Sequence, residues 1–173
     1  SVRSEADARR VAALIRSLPQ ETGEFTCTAR MMDLLKQTVV GSVPSPAARV
    51  VVDVSGDGID NCDRPAETQQ RRDDLLGLGV TINGLPIIVK GENDIVGSGA
   101  YRAPGLPLDG ATIGPATGET TLDTWYKSYV VGGPAHFLLP AQGFEDFGRA
   151  FRQKFLTEIS SLPAAERNLA TAE

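Results

Sequence analysis

Near the start of the chain apolar residues recur at helical spacing, with Ala8, Val11, Leu14, Ile15 and Leu18 at steps of three and four. Ser4-Glu5-Ala6-Asp7 has the spacing of a capping box and Pro19 closes the run, so a helix is predicted over about 4–18. A second stripe, Met31, Leu34, Leu35 and Val39, predicts a helix opened by Thr26 and ending near Gly41. Methionines at that spacing read as core filling rather than a soft-metal site. The pattern then changes. Arg49-Val50-Val51-Val52-Asp53-Val54 is a short β-branched run, which reads as a strand buried on both faces, and it leads directly into Ser55-Gly56-Asp57-Gly58. Asp63 as cap and Pro65 as first helical residue open a helix running to Leu78, with Gly79 at the left-handed stop. Val80 to Val89 is a second strand, in which Pro86 marks an end or a bulge.

From Lys90 to Thr121 the chain turns rich in Gly, Pro, Ser and Asp and loses periodicity. Loops of that length in a compact domain either carry function or lie as a flap on the surface. Leu122 to Tyr129 predicts a short helix, Ala135-His136-Phe137-Leu138-Leu139 a third strand, and Gly143 to Leu162 a long helix. Phe144, Phe147, Phe151, Phe155, Ile159 and Leu162 form the stripe that this helix is expected to turn to the core. The small, polar tail, 163–173, is expected to fray. Strands alternating with helices imply an α/β fold with a parallel, Rossmann-like sheet and helices on both faces. Three strands make a thin sheet, and the run from Val50 to Val54 asks for a neighbour on each side.

With 173 residues, 41% apolar and 23% charged, the chain has the size and composition of one globular domain. Its net charge of −5 argues against nucleic acid and anionic membranes as partners, which leaves small molecules, metal ions and proteins. The longest apolar stretch, 80–89, is broken by Asn83, Gly84 and Pro86, and no membrane span is predicted. The chain opens on Ser1 in helix-like sequence with neither a Met nor a signal peptide, so its beginning is expected to be missing or removed. Two cysteines, Cys27 and Cys62, allow one disulfide in an oxidising compartment or two buried thiols in a reducing one.

Ligands of open α/β sheets sit at the carboxyl ends of strands, and Asp57 lies just past such an end. The stretch from Ser55 to Asn61 gathers two carboxylates, a hydroxyl, an amide and two glycines, a set that suits a hard cation and equally suits a turn. Other chemistry is sparse. His136 is the only histidine and is predicted to sit in an apolar strand, and no nucleophile–base set or Gly-x-Ser-x-Gly motif accompanies it. Neither Gly97-Ser98-Gly99 nor Gly132-Gly133 lies between a strand and a helix as a phosphate cradle requires. Trp125, Tyr126 and Tyr129 read as helix packing, with an exposed aromatic patch as the alternative.

Three blocks carry a resemblance: Arg49 to Asn61 (RVVVDVSGDGIDN), Gly79 to Ile87 (GVTINGLPI) and Tyr129 to Phe137 (YVVGGPAHF). Together they closely resemble an uncharacterised, usually exported bacterial branch of the von Willebrand factor type A (vWA) superfamily. The likeness runs from about Ala8 to Ile159 and corresponds to the C-terminal half of such a domain. Residues 1–162 are thus expected to form a partial vWA-like domain, lacking the first strand and its metal loop, with 90–121 as a long insertion. In that superfamily a metal-ion-dependent adhesion site takes an Asp-x-Ser-x-Ser motif from one loop, a Thr from a second and an Asp from a third. A partner's carboxylate completes the shell around Mg²⁺. By position Thr26 resembles the Thr and Asp57 the Asp, with Ser55 and Asp60 acting behind them or through water.

The first loop has no counterpart ahead of the Ser4 helix. Asp53-Val54-Ser55-Gly56-Asp57 looks like that motif with its last Ser changed to Asp, but a first loop would be followed by Thr and Asp loops and about three more strands, whereas only two are predicted to follow. Asp53 is therefore expected to be a buried strand-end residue with a hydrogen-bond partner. The resemblance brings Cys27 and Cys62 to one rim of the sheet and so implies a disulfide. Closing a loop of about 36 residues is worth roughly 4 kcal/mol in the chain-entropy model. Such a bond goes with a periplasmic or extracellular location.

The expected function is a non-enzymatic binding module that uses Mg²⁺, or Mn²⁺ or Ca²⁺ in its place, to recognise a carboxylate on a protein partner. A structural or assembly domain that has lost the metal is the alternative. A metal-dependent hydrolase built on the Asp57 to Asp60 loop is a distant third for want of a nucleophile or base. The superfamily's first strand pairs with the one here at Val50 to Val54, so a missing N-terminal half or a second chain is expected to complete the sheet.

Overall fold

A computed structural model describes residues 4–19, 25–43, 49–96 and 120–161. Helix α1, Glu5–Ser17, starts as predicted: Ser4 is the N-cap and accepts the Asp7 N–H at 3.2 Å, with Glu5 and Asp7 in the first turn and Arg16 in the last. Its apolar stripe is not covered. No residue of α1 is buried, and Leu14 and Ile15 are 62% and 63% exposed.

Helix α2, Thr28–Leu34, is capped by Cys27 rather than opened by Thr26, and passes into a π-helical turn, Leu35–Val39, and a 3₁₀ turn, Val40–Ser42. The wider turn rotates the later residues away from a 3.6-residue register. Beyond that turn Val40 packs on the core and Val39 is exposed; within α2 itself Met32 is buried while Leu34 of the predicted stripe is exposed.

Strands β1, Val51–Gly56, and β2, Thr81–Pro86, pair in parallel from Val51↔Thr81 to Gly56↔Pro86. Alternation along the strands sends Val52, Val54 and Ile82 into a core with Met32, Leu75, Leu122, Trp125 and Tyr126. Between the strands, α3, Pro65–Leu76, begins with Pro65 at its first position. Its cap is Arg64, not Asp63, and the Glu67 carboxylate reaches back to accept the Arg64 N–H at 2.9 Å. Gly79 follows with φ +82°, the left-handed stop expected there.

The long excursion after β2 closes at its base, where β3, Ile95–Val96, pairs antiparallel with β4, Thr120–Thr121. Residues 97–119, including Gly97-Ser98-Gly99, lie outside the described residues. Helix α4, Leu122–Tyr129, then buries Trp125 and Tyr126, which is the packing role expected of them. The third predicted strand is replaced by isolated bridges. Gly132 pairs antiparallel with Ile82, the chain reverses at Gly133 (φ +90°), and Leu138 and Ala141 then pair in parallel with Gly84 and Ile87. His136 sits exposed in that reversal, its Nδ1 2.7 Å from the Gly133 carbonyl oxygen, not within an apolar strand.

A 3₁₀ turn, Phe144–Asp146, leads into α5, Phe147–Ser161. The phenylalanine stripe was expected to face the core, yet Phe144, Phe151 and Phe155 are exposed while Ala150 and Lys154 are buried. The cause is electrostatic. Lys154, 3% exposed, pairs with Asp53 of β1 and lies 2.9 Å from Glu158. Asn83 of β2 donates to Asp53 at 3.2 Å and to Glu158 at 3.0 Å. Asp53 and Asn83 are register partners on the face opposite the apolar core, so α5 covers a polar face and leaves its rings to stack on one another, 5.7 Å apart for Phe147 and Phe151. Asp53 thus has partners but sits in mid-strand and stays partly exposed, contrary to the expected buried strand end. The side chain of Ile159, all of Leu162 and the tail 163–173 lie outside the described residues.

The result is a mixed α/β chain whose parallel two-stranded sheet carries α2, α3 and α4 on one face and α5 on the other. Among the described residues no strand pairs with the outer edge of β1.

Candidate functional site

Two chain segments meet at the carboxyl end of β1: the lead into α2, which holds Thr26, and the connection from β1 to α3, which holds Asp57. They are cross-linked several times over. Cys27 and Cys62 form a disulfide, 35 residues apart in sequence and 5.0 Å apart at Cα. Asn61 binds Thr26 in both directions, its N–H donating to the Thr26 carbonyl at 3.0 Å and its Oδ1 accepting the Thr26 N–H at 2.7 Å. Arg30 pairs with Asp63 at 3.1 Å.

Asp60 is the hub of this seam. Its carboxylate is completely buried and accepts the N–H groups of Ala29, Cys62 and Asp63 at 2.7, 2.9 and 3.0 Å, and the Thr68 hydroxyl at 3.2 Å. Cys27 offers α2 no side-chain cap, so Asp60 supplies one from across the sequence, its negative charge at the positive end of the helix. Four donors are what makes a buried carboxylate tolerable. Asp60 therefore lies beneath the rim and fixes its shape.

Asp57 is on top. It is exposed, and among the described residues its carboxylate accepts no hydrogen bond. Its backbone is held instead: Asn93 at the root of the excursion donates from Nδ2 to the Asp57 carbonyl at 2.6 Å and to the Ile87 carbonyl at 3.0 Å. Thr26 Oγ1 faces the same loop, 3.6 Å from where a Cβ on Gly58 would sit. On the other side of Asp57, a Cβ on Gly56 would meet the Tyr126 hydroxyl at 2.9 Å. Burial first, and then the charge of Asp57, raise the pKa of that phenol above its ordinary value, so it stays protonated.

Thr26, Asp57, Asp60, Cys27 and Cys62 thus share one rim. Ser55 is exposed on the strand leading to it, but by alternation it shares the face of Asp53 rather than that of Thr26. Among the described residues no three of His, Cys, Asp and Glu cluster as a metal-holding group, so the chemistry on offer is one carboxylate with hydroxyl oxygens beside it. Sequence reasoning passed over Asn93, counted Asn61 only as the amide of the stretch from Ser55, and read Tyr126 only as helix packing. Asn61 closes the acidic stretch after Gly58 and could have been suspected as a loop tie, whereas nothing in local spacing marks Asn93 or Tyr126 as neighbours of Asp57.

A family model described as a protein of unknown function, DUF1194, matches residues 1–163. The chain belongs to that family. Neither the curated proteins nor the solved structures include a match to it. The DUF1194 match covers every element that builds the rim, from Thr26 through Asp57 to Tyr126.

Proposed function

We propose that this DUF1194 chain is a non-enzymatic binding module of the vWA-like kind, in which Thr26 and Asp57 hold a divalent cation that recruits a carboxylate from a protein partner. The observation that carries the reading is an exposed carboxylate, Asp57, unpartnered among the described residues, on a loop cross-linked to the one bearing Thr26. All the donors are oxygens, which suits Mg²⁺, or Mn²⁺ or Ca²⁺ in its place. Mg²⁺ in particular keeps several waters and uses only one or two carboxylates. With a single carboxylate beside it, such a cation retains positive charge, and an anionic ligand completes its shell. Asp60 contributes by holding the loop, and Ser55, on the other face of β1 from Thr26, takes no direct part.

Two further observations support parts of this reading. The only histidine, His136, lies at the start of β2, at the end of the sheet away from Asp57, where it offers the rim no general base. The Cys27–Cys62 disulfide fits an oxidising compartment, so the reading puts the chain in the periplasm or outside the cell.

The outer edge of β1 and the uncovered stripe of α1 favour a second component: a further strand, from an N-terminal half or another chain, that completes a Rossmann-like sheet. The same edge would serve an assembly domain without a metal, and Mn²⁺ separates the two. Titrating the chain with Mn²⁺ and following the loss of the free-ion electron paramagnetic resonance signal should show one site per chain, abolished by EDTA and by Asp57→Ala. A chain that takes up no Mn²⁺ at millimolar concentration yet self-associates on sizing chromatography is an assembly domain instead.

A further inference from the structure

Gly56 and Gly58 flank Asp57, and each faces a hydroxyl from a distant element. Thr26 Oγ1 is in ordinary contact with the Gly58 side-chain position at 3.6 Å, whereas the Tyr126 hydroxyl, delivered from α4, takes the position at Gly56, 2.9 Å from where a Cβ would sit. The tyrosine is anchored: it is 2% exposed, packs edge-on against Trp125 with ring centroids 5.8 Å apart, and belongs to the main core. Among the described residues its hydroxyl makes no hydrogen bond. The hydroxyl is thus held against the ligand loop at an atom that still reaches solvent, where an incoming ligand can meet it: among the described residues the buried side-chain polar atom without a partner is Trp125 Nε1, not the Tyr126 oxygen.

A tyrosine hydroxyl offers an O–H donor. A carboxylate has two oxygens. With one on the cation, the other is left to accept a hydrogen bond from the protein, and Tyr126 is the donor already aimed at the Asp57 loop.

We propose that Tyr126 is the specificity residue of this rim, donating a hydrogen bond from its hydroxyl to the second oxygen of the carboxylate that binds the cation. This rests on the cation-dependent reading above. It adds that the site favours carboxylates over neutral oxygen ligands, because an O–H donating to a carboxylate oxygen makes a charge-assisted hydrogen bond, about twice as strong as one between neutral groups.

The test uses Mn²⁺ and acetate as probes, with acetamide as the neutral comparison, and reads the paramagnetic relaxation of the methyl protons in the presence of the Mn²⁺-loaded chain. The unmodified chain should relax acetate more strongly than acetamide. Tyr126→Phe, which removes one oxygen and keeps the ring, should bind Mn²⁺ within about twofold of the unmodified chain while acetate binding falls about tenfold, the effect of losing a hydrogen bond to a charged group. Gly56→Ala, whose Cβ displaces the hydroxyl, should reproduce the acetate loss and stands in if Tyr126→Phe does not fold. Undiminished acetate binding in both variants overturns the inference, and so does loss of Mn²⁺ with the hydroxyl, which would make Tyr126 a cation ligand. If the unmodified chain binds no Mn²⁺ at all, the cation reading fails and this one with it, an outcome visible before any acetate is added.

Discussion

The carboxylate of Asp60 accepts the N–H of Ala29 at 2.7 Å, across 31 residues of sequence, and in doing so caps the helix that follows Thr26. A side chain that the sequence offered as a cation's neighbour is thereby the keystone joining the two loops of the rim. Everything proposed for Asp57 depends on that seam being rigid, because a binding constellation must be held within a fraction of an ångström by the groups behind it.

Asp60→Ala should lower stability by about 3 kcal/mol, since two buried N–H groups, the half-buried Asp63 N–H and the Thr68 hydroxyl lose their acceptor together. Urea unfolding would show it as a lower midpoint at unchanged slope. A loss below about 0.5 kcal/mol, the range of ordinary surface substitutions, would mean that the seam does not depend on Asp60.

Reducing the Cys27–Cys62 disulfide, or replacing both cysteines with serine, should cost up to roughly 4 kcal/mol, mostly by freeing the unfolded chain. The native loops remain joined through Asn61 and Asp60, so the far-ultraviolet circular dichroism of the folded protein should not change. The check is a denaturation curve with and without dithiothreitol.

Glycine at two positive-φ positions separates steric from conformational cost. A Cβ on Gly133 would lie 2.6 Å from the Val80 carbonyl oxygen, whereas one on Gly143 meets nothing within 4 Å. Gly143→Ala should therefore cost about 1 kcal/mol for its φ alone, and Gly133→Ala should cost at least about 2 kcal/mol more or prevent folding. Thermal melts of the two variants decide it, and equal losses would contradict the tight passage of Gly133 beside β2.

Asp146 gives a dependence on pH. The Arg149 guanidinium, first, and then the Gln142 N–H at 2.9 Å hold its carboxyl below its ordinary 3.8, at about 2. A folded-state value depressed in this way contributes stability that is fully present above the unfolded value and is lost as pH falls through about 2. Asp146→Ala should accordingly lie below the unmodified chain by a constant margin at pH 5 to 7, and the margin should close between about pH 4 and pH 2. A margin that widens on acidification would reverse the assignment.

The elements whose signals are local were legible in the sequence. Ser4 as a cap, Pro65 at a first helical position, Gly79 at a left-handed stop and the β-branched run into β1 all act within a few residues of themselves. The disulfide was legible only through resemblance, because composition left Cys27 and Cys62 equally readable as thiols. What spacing concealed was decided by partners far along the chain. The ammonium of Lys154, drawn to Asp53 and Glu158, turned α5 so that Phe151 and Phe155 face outward, and a hydrophobic stripe cannot report that. The π-helical turn after Leu34 likewise broke the period that the stripe continues through Val39. At the rim, Asp57 was legible as a strand-end carboxylate, but the Tyr126 hydroxyl beside it is 69 residues on, and only the packing of α4 against β2 brings it there.

The central claim is that the Asp57 rim takes up a cation, and crystals soaked in Mn²⁺ test it most directly. An anomalous difference peak about 2.1 Å from an Asp57 carboxylate oxygen, with Thr26 Oγ1 or a water bound to it in the same shell, is the predicted result. Crystals with an accessible rim that show no peak there, or one only at other carboxylates, would contradict it.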